Sequence, residues 1–313
     1  MAFVIPKESF SGQVLSPSFG EGPKAIMVGG EKALPFLDFE GEIPNRPAIA
    51  LEIQDIPPTD WPEMIKKIYE GVSDDPVKWA QFCENELKAQ AIALRLIGTH
   101  PDQKNRSPEE AAQTVKDVLA AISVPIIILG SNHAEKDAAV LPAVSEAAKG
   151  KSCIIGKAQE ANYKTIAAAA MANKHNLIAL ADLDINLSKQ LNILITQMGF
   201  PPDNLMSDPM CSALGYGLEY TYSVMERIRL AALAQGDVTM QPPMVGDVGM
   251  YVWKVKEVIA SETDVPDWGS LEERAIGWEA VTAIGMMMAA TELLIMRHPK
   301  AVEIVNKTLD ELM

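Results

Sequence analysis

The sequence predicts an α/β protein: a single (β/α)8 TIM barrel over residues 48–313, preceded by a β-rich N-terminal arm over residues 1–47. Three observations carry this. Eight short apolar runs recur along the 313 residues, and several stop at a polar cluster. Helical sequence separates them. The middle runs are spaced by close to one βα unit. Strands buried on both faces of a parallel sheet read as continuous apolar runs. Eight such units fit a closed barrel better than an open doubly wound sheet, and in both folds ligands sit where the strands end.

Taken in order, residues 1–47 repeat Pro and Gly (Pro17, Gly20, Gly22-Pro23, Gly29-Gly30, Pro44, Pro47) around two β-like pieces, Ala25–Val28 and Phe36–Phe39. They predict a hairpin or arm that caps the bottom of the barrel or a partner. Strand starts follow near residues 48, 91, 124, 152, 177, 205, 238 and 292. The clearest runs are Ala48–Ile53 before Gln54-Asp55, Ala91–Ile97 before Gly98-Thr99-His100, and Val124–Leu129 before Gly130-Ser131-Asn132. Ile154-Ile155 precedes Gly156-Lys157-Ala158-Gln159, Leu177–Ala181 precedes Asp182-Leu183-Asp184, and Leu293–Met296 precedes Arg297-His298. Strands six (Leu205–Asp208) and seven (Val238–Pro243) are weaker, the seventh because two prolines suit a strand end better than its middle. Helix starts are marked by the capping box Ser107-Pro108-Glu109-Glu110 and by Asp184 or Asn186 ahead of Lys189–Ile195. A helix from Tyr220 to Leu233 ends near Gly236, an inserted segment runs from Val248 to Trp268, and a last helix starts at Pro299.

Composition narrows the function. The formal charge of −15 repels phosphate backbones and argues against nucleic acid as a partner. No apolar run approaches the roughly 18 residues of a membrane span, and no basic segment leads an apolar core at the N-terminus. A cytoplasmic protein is expected. Cys83, Cys153 and Cys211 lie far apart beside apolar stretches and read as core residues. A cubane iron–sulfur cluster usually needs about four thiolates, more than this chain holds.

The motifs of nucleotide phosphate cradles, of zinc hydrolases and of serine hydrolases are absent. Lys157 is the one strand-end candidate for a Schiff base, and it reads better as a salt-bridging or snorkelling lysine. What remains at the strand ends is a ring of neutral and acidic groups: Thr99, His100, Ser131, Asn132, Gln159, Asp182, Asp184, Asn186, Asp208 and Gln241. Such a rim suits hydrogen bonding to a large, amide-rich or pterin-like ligand. The alternative is that each of them caps a helix or orders a loop.

Several segments carry a family resemblance. Val28–Glu31, Leu34–Phe36, Gly41–Pro47, Leu183–Ile193, Gly215–Tyr220, Met225–Arg229 and Met296–Pro299 together resemble the small subunit of the corrinoid iron–sulfur protein of the reductive acetyl-CoA pathway. The resemblance runs from the arm to the last helix. It implies an anaerobic heterodimer whose large subunit holds a four-iron four-sulfur cluster and most of the corrinoid (cobamide) site. The small subunit is then a barrel whose C-terminal face covers that corrinoid. A methyltetrahydrofolate methyltransferase supplies the methyl group and acetyl-CoA synthase receives it. The chain would be a methyl-carrier subunit rather than a self-contained enzyme. No histidine stands in the D-x-H-x-x-G pattern by which some corrinoid domains ligate cobalt, so covering rather than ligating is expected. Strand-end logic, not the resemblance, selects Thr99, His100, Ser131, Asn132, Gln159, Asp184, Asn186 and Asp208 as the cofactor-binding set. The competing readings are a free-standing pterin-dependent methyltransferase using Asp208 and Asn132, and a non-catalytic scaffold.

Overall fold

The runs of β-branched and aliphatic residues form eight parallel strands. In the computed structural model, which describes residues 4–313, these are β3 (Ala48–Gln54), β4 (Ala91–Arg95), β5 (Ile126–Leu129), β6 (Ile154–Ala158), β7 (Asn176–Leu180), β8 (Leu205–Asp208), β9 (Met244–Gly246) and β10 (Thr291–Met296). They pair in chain order, and β10 closes the barrel against β3 with Leu293 beside Ala48 and Met296 beside Leu51. The expected barrel is therefore the observed one. Strand seven lies later than expected. Val238–Met240 is a 3-10 turn, and the ladder begins only after Pro242-Pro243, where Ser207 N donates to the Pro243 carbonyl. Proline has no N–H to give a ladder, so the strand starts where the prolines end.

Helices α1 (Glu63–Ile68), α2 (Pro76–Asn85), α3 (Pro108–Ala121), α4 (Ala134–Ala147), α5 (Tyr163–Ala172), α6 (Ile185–Gln197), α7 (Leu218–Leu233), α8 (Val248–Val252), α9 (Lys256–Ile259), α10 (Leu271–Met288) and α11 (Pro299–Leu312) supply the crossovers. Both bonds of the Ser107/Glu110 capping box form at α3. Asp184, not Asn186, caps α6: its carboxylate accepts from Asn186 N at 2.7 Å and Leu187 N at 3.2 Å. Among the described residues no helix is long and apolar enough to cross a membrane.

The period-two alternation of the strands divides the apolar residues into two cores. Ile49, Leu51, Ile53, Ile92 and Leu94 face outward and pack under the helices. Ala48, Ala50, Ala91, Ala93, Ile127, Ile154, Ile178, Met206, Val245, Leu293 and Ile295 face inward. The arm completes the inner core. β1 (Ser18–Phe19) and β2 (Ile26–Met27) pair antiparallel, and Phe19 is fully buried among the inward residues. Gly20 N donates to Ser152 O, and Asn176 Nδ2 to Ser18 O, which fixes the hairpin at the N-terminal ends of β6 and β7. Gly20 has φ +86°, and a Cβ there would lie 2.5 Å from Pro125 Cγ, so only glycine lets the hairpin seat this closely. The second β-like piece of the arm, Phe36–Phe39, is not a strand. Leu37 N bonds Leu34 O and Glu40 N bonds Leu37 O, with Phe36 at φ 60°, so the segment turns on itself.

Behind the hairpin, one charged group is buried at this bottom end. Arg229 of α7 ion-pairs with Glu292 of β10, and its Nη1 lies 3.9 Å from Glu31 of the arm. Glu292 also accepts from Met244 N at 2.6 Å. Two carboxylates thus share one guanidinium. Burial pushes Glu292 up to about 8, with Glu31 adding to the shift, and burial raises Glu31 as well.

Candidate functional site

The inward alternation changes character at the C-terminal ends of the strands. Above Ala48 and Ala50 the next inward residue of β3 is Glu52, and above Ala91 and Ala93 the next of β4 is Arg95. The small residues beneath leave room for long charged side chains to fold over the barrel axis. Arg95 Nε is 3.0 Å from Glu52 Oε1, and its Nη2 is 2.8 Å from Asp247, the residue that follows β9. Lys157 Nζ of β6 lies 2.6 Å from Asp247 and 2.7 Å from Asp208 at the end of β8. Arg297, just past β10, reaches Glu52 at 3.0 Å, and its guanidinium stacks 4.5 Å from the centre of the Trp61 ring. All six side chains are buried, and three carboxylates meet three cations.

The charges hold one another in place. Burial opposes the ionised form of Asp247, but Arg95 and Lys157 outweigh it and keep its carboxyl well below the usual range. Glu52 is lowered in the same way, burial being outweighed by Arg297 and Arg95. Burial alone would lower Arg95 and Lys157, but the facing carboxylates raise both. Asp208 is the least well held. Burial raises it despite Lys157, and its Oδ2 is close to Nζ but poorly aligned for a hydrogen bond. We take the pair as ionised, because Lys157 has two carboxylates against it. Tyr251 of α8 lies over the cluster, its hydroxyl raised by burial and by Asp208 and Asp247. Asn132, on the β5 side, donates to Met250 Sδ at 3.3 Å. β5 and β9 are diametrically opposite, so α8 crosses the mouth.

The eight residues expected to bind cofactor separate into two groups. Thr99 is buried and donates to Leu96 O at 2.7 Å; Ser131 N and Oγ both bond Asp137 Oδ1; Asp208 is buried in the charge cluster. These three are buried as well as bonded within the chain. His100, Asn132, Gln159, Asp184 and Asn186 remain at the rim with part of their surface open, although the Asp184 carboxylate also caps α6. Gln159 lines an open cleft of about 500 Å³ with Glu160, Ala161, Leu180, Asp182 and Leu187, and Asp184 and Asn186 are exposed beside it. Gln241, expected in the wider ring of strand-end groups, is not at the mouth: it precedes β9 at the bottom, where its carbonyl accepts from Leu15 N. Sequence reasoning missed Glu52, Arg95, Asp247 and Arg297, and it left Lys157 outside the set. The signal was present as alternation inside the runs, Ala48-x-Ala50-x-Glu52 and Ala91-x-Ala93-x-Arg95.

Each histidine uses Nδ1 to accept a backbone amide: His100 from Asp102, His133 from Lys136, His175 from Cys153 and His298 from Lys300. The three cysteines are buried and free, and burial drives their thiols up, Cys153 to about 12. Among the described residues, no cluster of three or more His, Cys, Asp or Glu is placed to hold a metal ion.

A family model described as CO dehydrogenase/acetyl-CoA synthase delta subunit matches residues 17–308. The chain is 36% identical to the acetyl-CoA decarbonylase/synthase complex subunit delta of Methanocaldococcus jannaschii, over 97% of this chain and 76% of that protein. It is 37% identical to subunit delta 1 of the same complex from Methanosarcina thermophila, over 92% of this chain and 66% of that protein. The chain therefore spans about two thirds to three quarters of the relatives it matches. Among solved structures it is similar to a Xanthomonas albilineans dihydropteroate synthase in complex with indole-2-carboxylic acid and 6-chloroguanine (TM-score 0.58, 11% identity, 95% of this chain and 97% of that one). A dihydropteroate synthase from Coxiella burnetii in complex with pteroic acid is comparable (TM-score 0.56, 11% identity, 88% of this chain and 96% of that one). At that identity the likeness shows the barrel fold alone. The family match and the coverage by the delta subunits agree with the resemblance read from the motifs, and this chain belongs to the CO dehydrogenase/acetyl-CoA synthase delta subunit family.

Proposed function

We propose that this chain is the small subunit of a corrinoid methyl carrier working with an acetyl-CoA decarbonylase/synthase system. Its barrel mouth covers a corrinoid held mainly by a larger, cluster-bearing subunit. A methyltetrahydrofolate methyltransferase would load the carrier and acetyl-CoA synthase would unload it. The observation that carries this reading is the division of the mouth into a closed floor and an open rim. The charged floor pairs its three carboxylates with its three cations and is buried. The rim offers amide side chains and carboxylates to whatever lies across it.

The rim chemistry suits a corrinoid. Asn132, Gln159 and Asn186 each present a donor and an acceptor, which matches the peripheral carboxamides of a corrin ring. His100 and Asp184 flank them. When bound, the corrinoid supplies a strongly nucleophilic cobalt centre that carries the methyl group. The chain's own part is to hold the ring's periphery and to keep water out. The buried floor and the α8 segment lying across it are suited to exclusion, because neither presents an unpaired charge to solvent. Displacement of the cover between transfers is the gating step such a carrier requires. The four imidazoles, each committed to a backbone amide, fit a covering role better than a ligating one.

Reconstitution of the heterodimer with corrinoid tests this reading. Asn132→Ala with Gln159→Ala is expected to speed corrinoid loss during gel filtration and to raise the rate of oxidation of the reduced cofactor, followed by its absorption spectrum. Unchanged retention and oxidation would reject the rim assignment. If the purified chain alone bound methyltetrahydrofolate and methylated free cob(I)alamin, the carrier reading would give way to a free-standing methyltransferase.

A further inference from the structure

A second surface lies to one side of the mouth. The loop after β8 exposes Leu214 and Tyr216, the first turn of α7 exposes Tyr220, and the segment after α9 exposes Trp268. Tyr220 keeps 66% of its surface in solvent, Tyr216 51% and Trp268 49%, which is unusual for groups that normally bury their rings. The residues belong together. Trp268 stacks on the half-buried Trp278 of α10, with centroids 6.1 Å apart and planes at 27°. Trp278 Nε1 donates to Leu214 O at 2.9 Å, and Val281 continues the same face of α10, half exposed. The Tyr216 hydroxyl donates to Glu257 Oε2 at 2.5 Å, so its ring is held rather than free to turn inward. Two exposed rings, Tyr216 and Trp268, are therefore fixed in place by a hydrogen bond and by stacking, and Tyr220 stands exposed beside them.

The charge around them is one-sided. Between residues 256 and 273 stand Glu257, Glu262, Asp264, Asp267, Glu272 and Glu273 against Lys256 alone. Among the described residues, only Glu272 of these forms an ion pair, with Lys300 on α11. Of the others, Glu273 accepts from Ser270, Asp264 from Ser261, and Glu262 from Leu271 N. An aromatic patch rimmed by unneutralised carboxylates suits guanidinium and ammonium groups, which are drawn to the acids and stack on the rings. It does not suit an anionic lipid surface or a nucleic acid. It does not suit a second copy of this chain either, because a two-fold contact would bring the same acids face to face.

We propose that this face docks a different protein, one that presents arginine or lysine side chains among aliphatic groups, and that the partner is a companion subunit of the complex. The identity of the partner rests on the reading of this chain as a complex subunit; the chemistry of the face does not. Trp268 is the expected anchor, as exposed, pre-positioned tryptophans dominate such contacts.

The test uses the full-length chain and each purified companion subunit in turn, including the cluster-bearing one. A carbodiimide, which joins carboxylates directly to lysines in contact, is expected to link Asp264, Asp267 or Glu273 to the partner. Trp268→Ser is expected to weaken binding by tenfold or more in calorimetric titration, with an unchanged circular dichroism spectrum. Asp264→Asn with Asp267→Asn is expected to slow association and flatten its salt dependence. Corrinoid retention by the assembled carrier is not expected to change with Trp268→Ser. The proposal is overturned if a subunit binds wild type and Trp268→Ser equally, if cross-links form only from other faces, or if the patch cross-links the chain to itself. If no companion subunit binds the wild-type chain, the subunit reading falls as well.

Discussion

The two ends of this barrel are closed by opposite means. At the bottom, an apolar side chain from outside the barrel, Phe19, is pushed into a floor of alanines and β-branched residues. At the top, the strands close themselves with Glu52, Arg95, Lys157, Asp208, Asp247 and Arg297. The bottom plug gains from burial of area, which is non-directional and tolerant of small shifts. The top depends on geometry, because each buried charge is costly unless its partner stays in place. The comparison teaches where this fold can and cannot vary. The bottom can be repacked, whereas the top forms one mutually dependent set. The charge balance differs too, three against three at the top and two carboxylates against one guanidinium at the bottom.

The largest expected effect tests the dependence at the top. Asp247→Ala would leave Arg95 and Lys157 without the carboxylate they share, and urea unfolding should show a loss of about 3–5 kcal/mol. A loss below about 1 kcal/mol would mean that water already reaches the cluster and that the two ends are less different than described. Next, Phe19→Ala should cost about 3 kcal/mol, at the low end for a buried phenylalanine because the hairpin can settle into the space. If that variant lost more than Asp247→Ala, the order of the two ends would be reversed.

The unbalanced charge at the bottom predicts a pH dependence. Burial pushes the carboxyl of Glu292 up to about 8 in the folded chain, from an ordinary 4.5. The folded state then holds a proton that the unfolded state has released, so stability should fall as pH rises from near 5 to 8 and level off above that. Glu292 by itself contributes at most about 1.4 kcal/mol per pH unit, the slope of one full proton. Glu279, pushed by burial to about 7, acts in the same direction. His298, which burial lowers to about 4, opposes the fall at the acid end of this range. Chemical unfolding between pH 5 and 8 checks this, and Glu292→Gln should reduce the slope, most clearly between pH 7 and 8 where Glu279 and His298 contribute least. An unchanged slope in that variant would move the effect elsewhere. The smallest effect is local: Ser107→Ala removes one bond of the capping box at the mouth end of α3, and should cost about 1 kcal/mol in urea unfolding.

Much of the architecture is legible in the sequence because a parallel barrel writes its strands as apolar runs and its helix starts as caps. Ser107 is an example in which local chemistry is enough, whereas at α6 it leaves Asp184 and Asn186 as alternatives that the structure decides. Strand seven is harder, since Val238-Thr239-Met240 is as apolar as the true strand Met244-Val245-Gly246, and only the missing N–H groups of Pro242 and Pro243 decide between them. The mouth is harder still. Polar residues after a run are conspicuous, so the rim is visible. Glu52, Arg95 and Asp247 become inward-facing only once the strand period and the barrel closure are known together. Thr99 and Ser131 look like rim residues in sequence and are consumed by Leu96 O and Asp137, contacts that no spacing announces. Pairings such as Asn132 with Met250 join residues 118 positions apart and belong to the tertiary structure alone.

The buried thiols have a consequence for the company this chain keeps. Soft metal ions are captured by thiolates, and a thiol held near 12 is protonated at any pH at which a cell lives. Cys83, Cys153 and Cys211 are therefore poor scavengers of iron, nickel or cobalt, and poor targets for oxidants. A chain built this way keeps its own sulfur out of metal capture and thiol exchange with whatever it packs against.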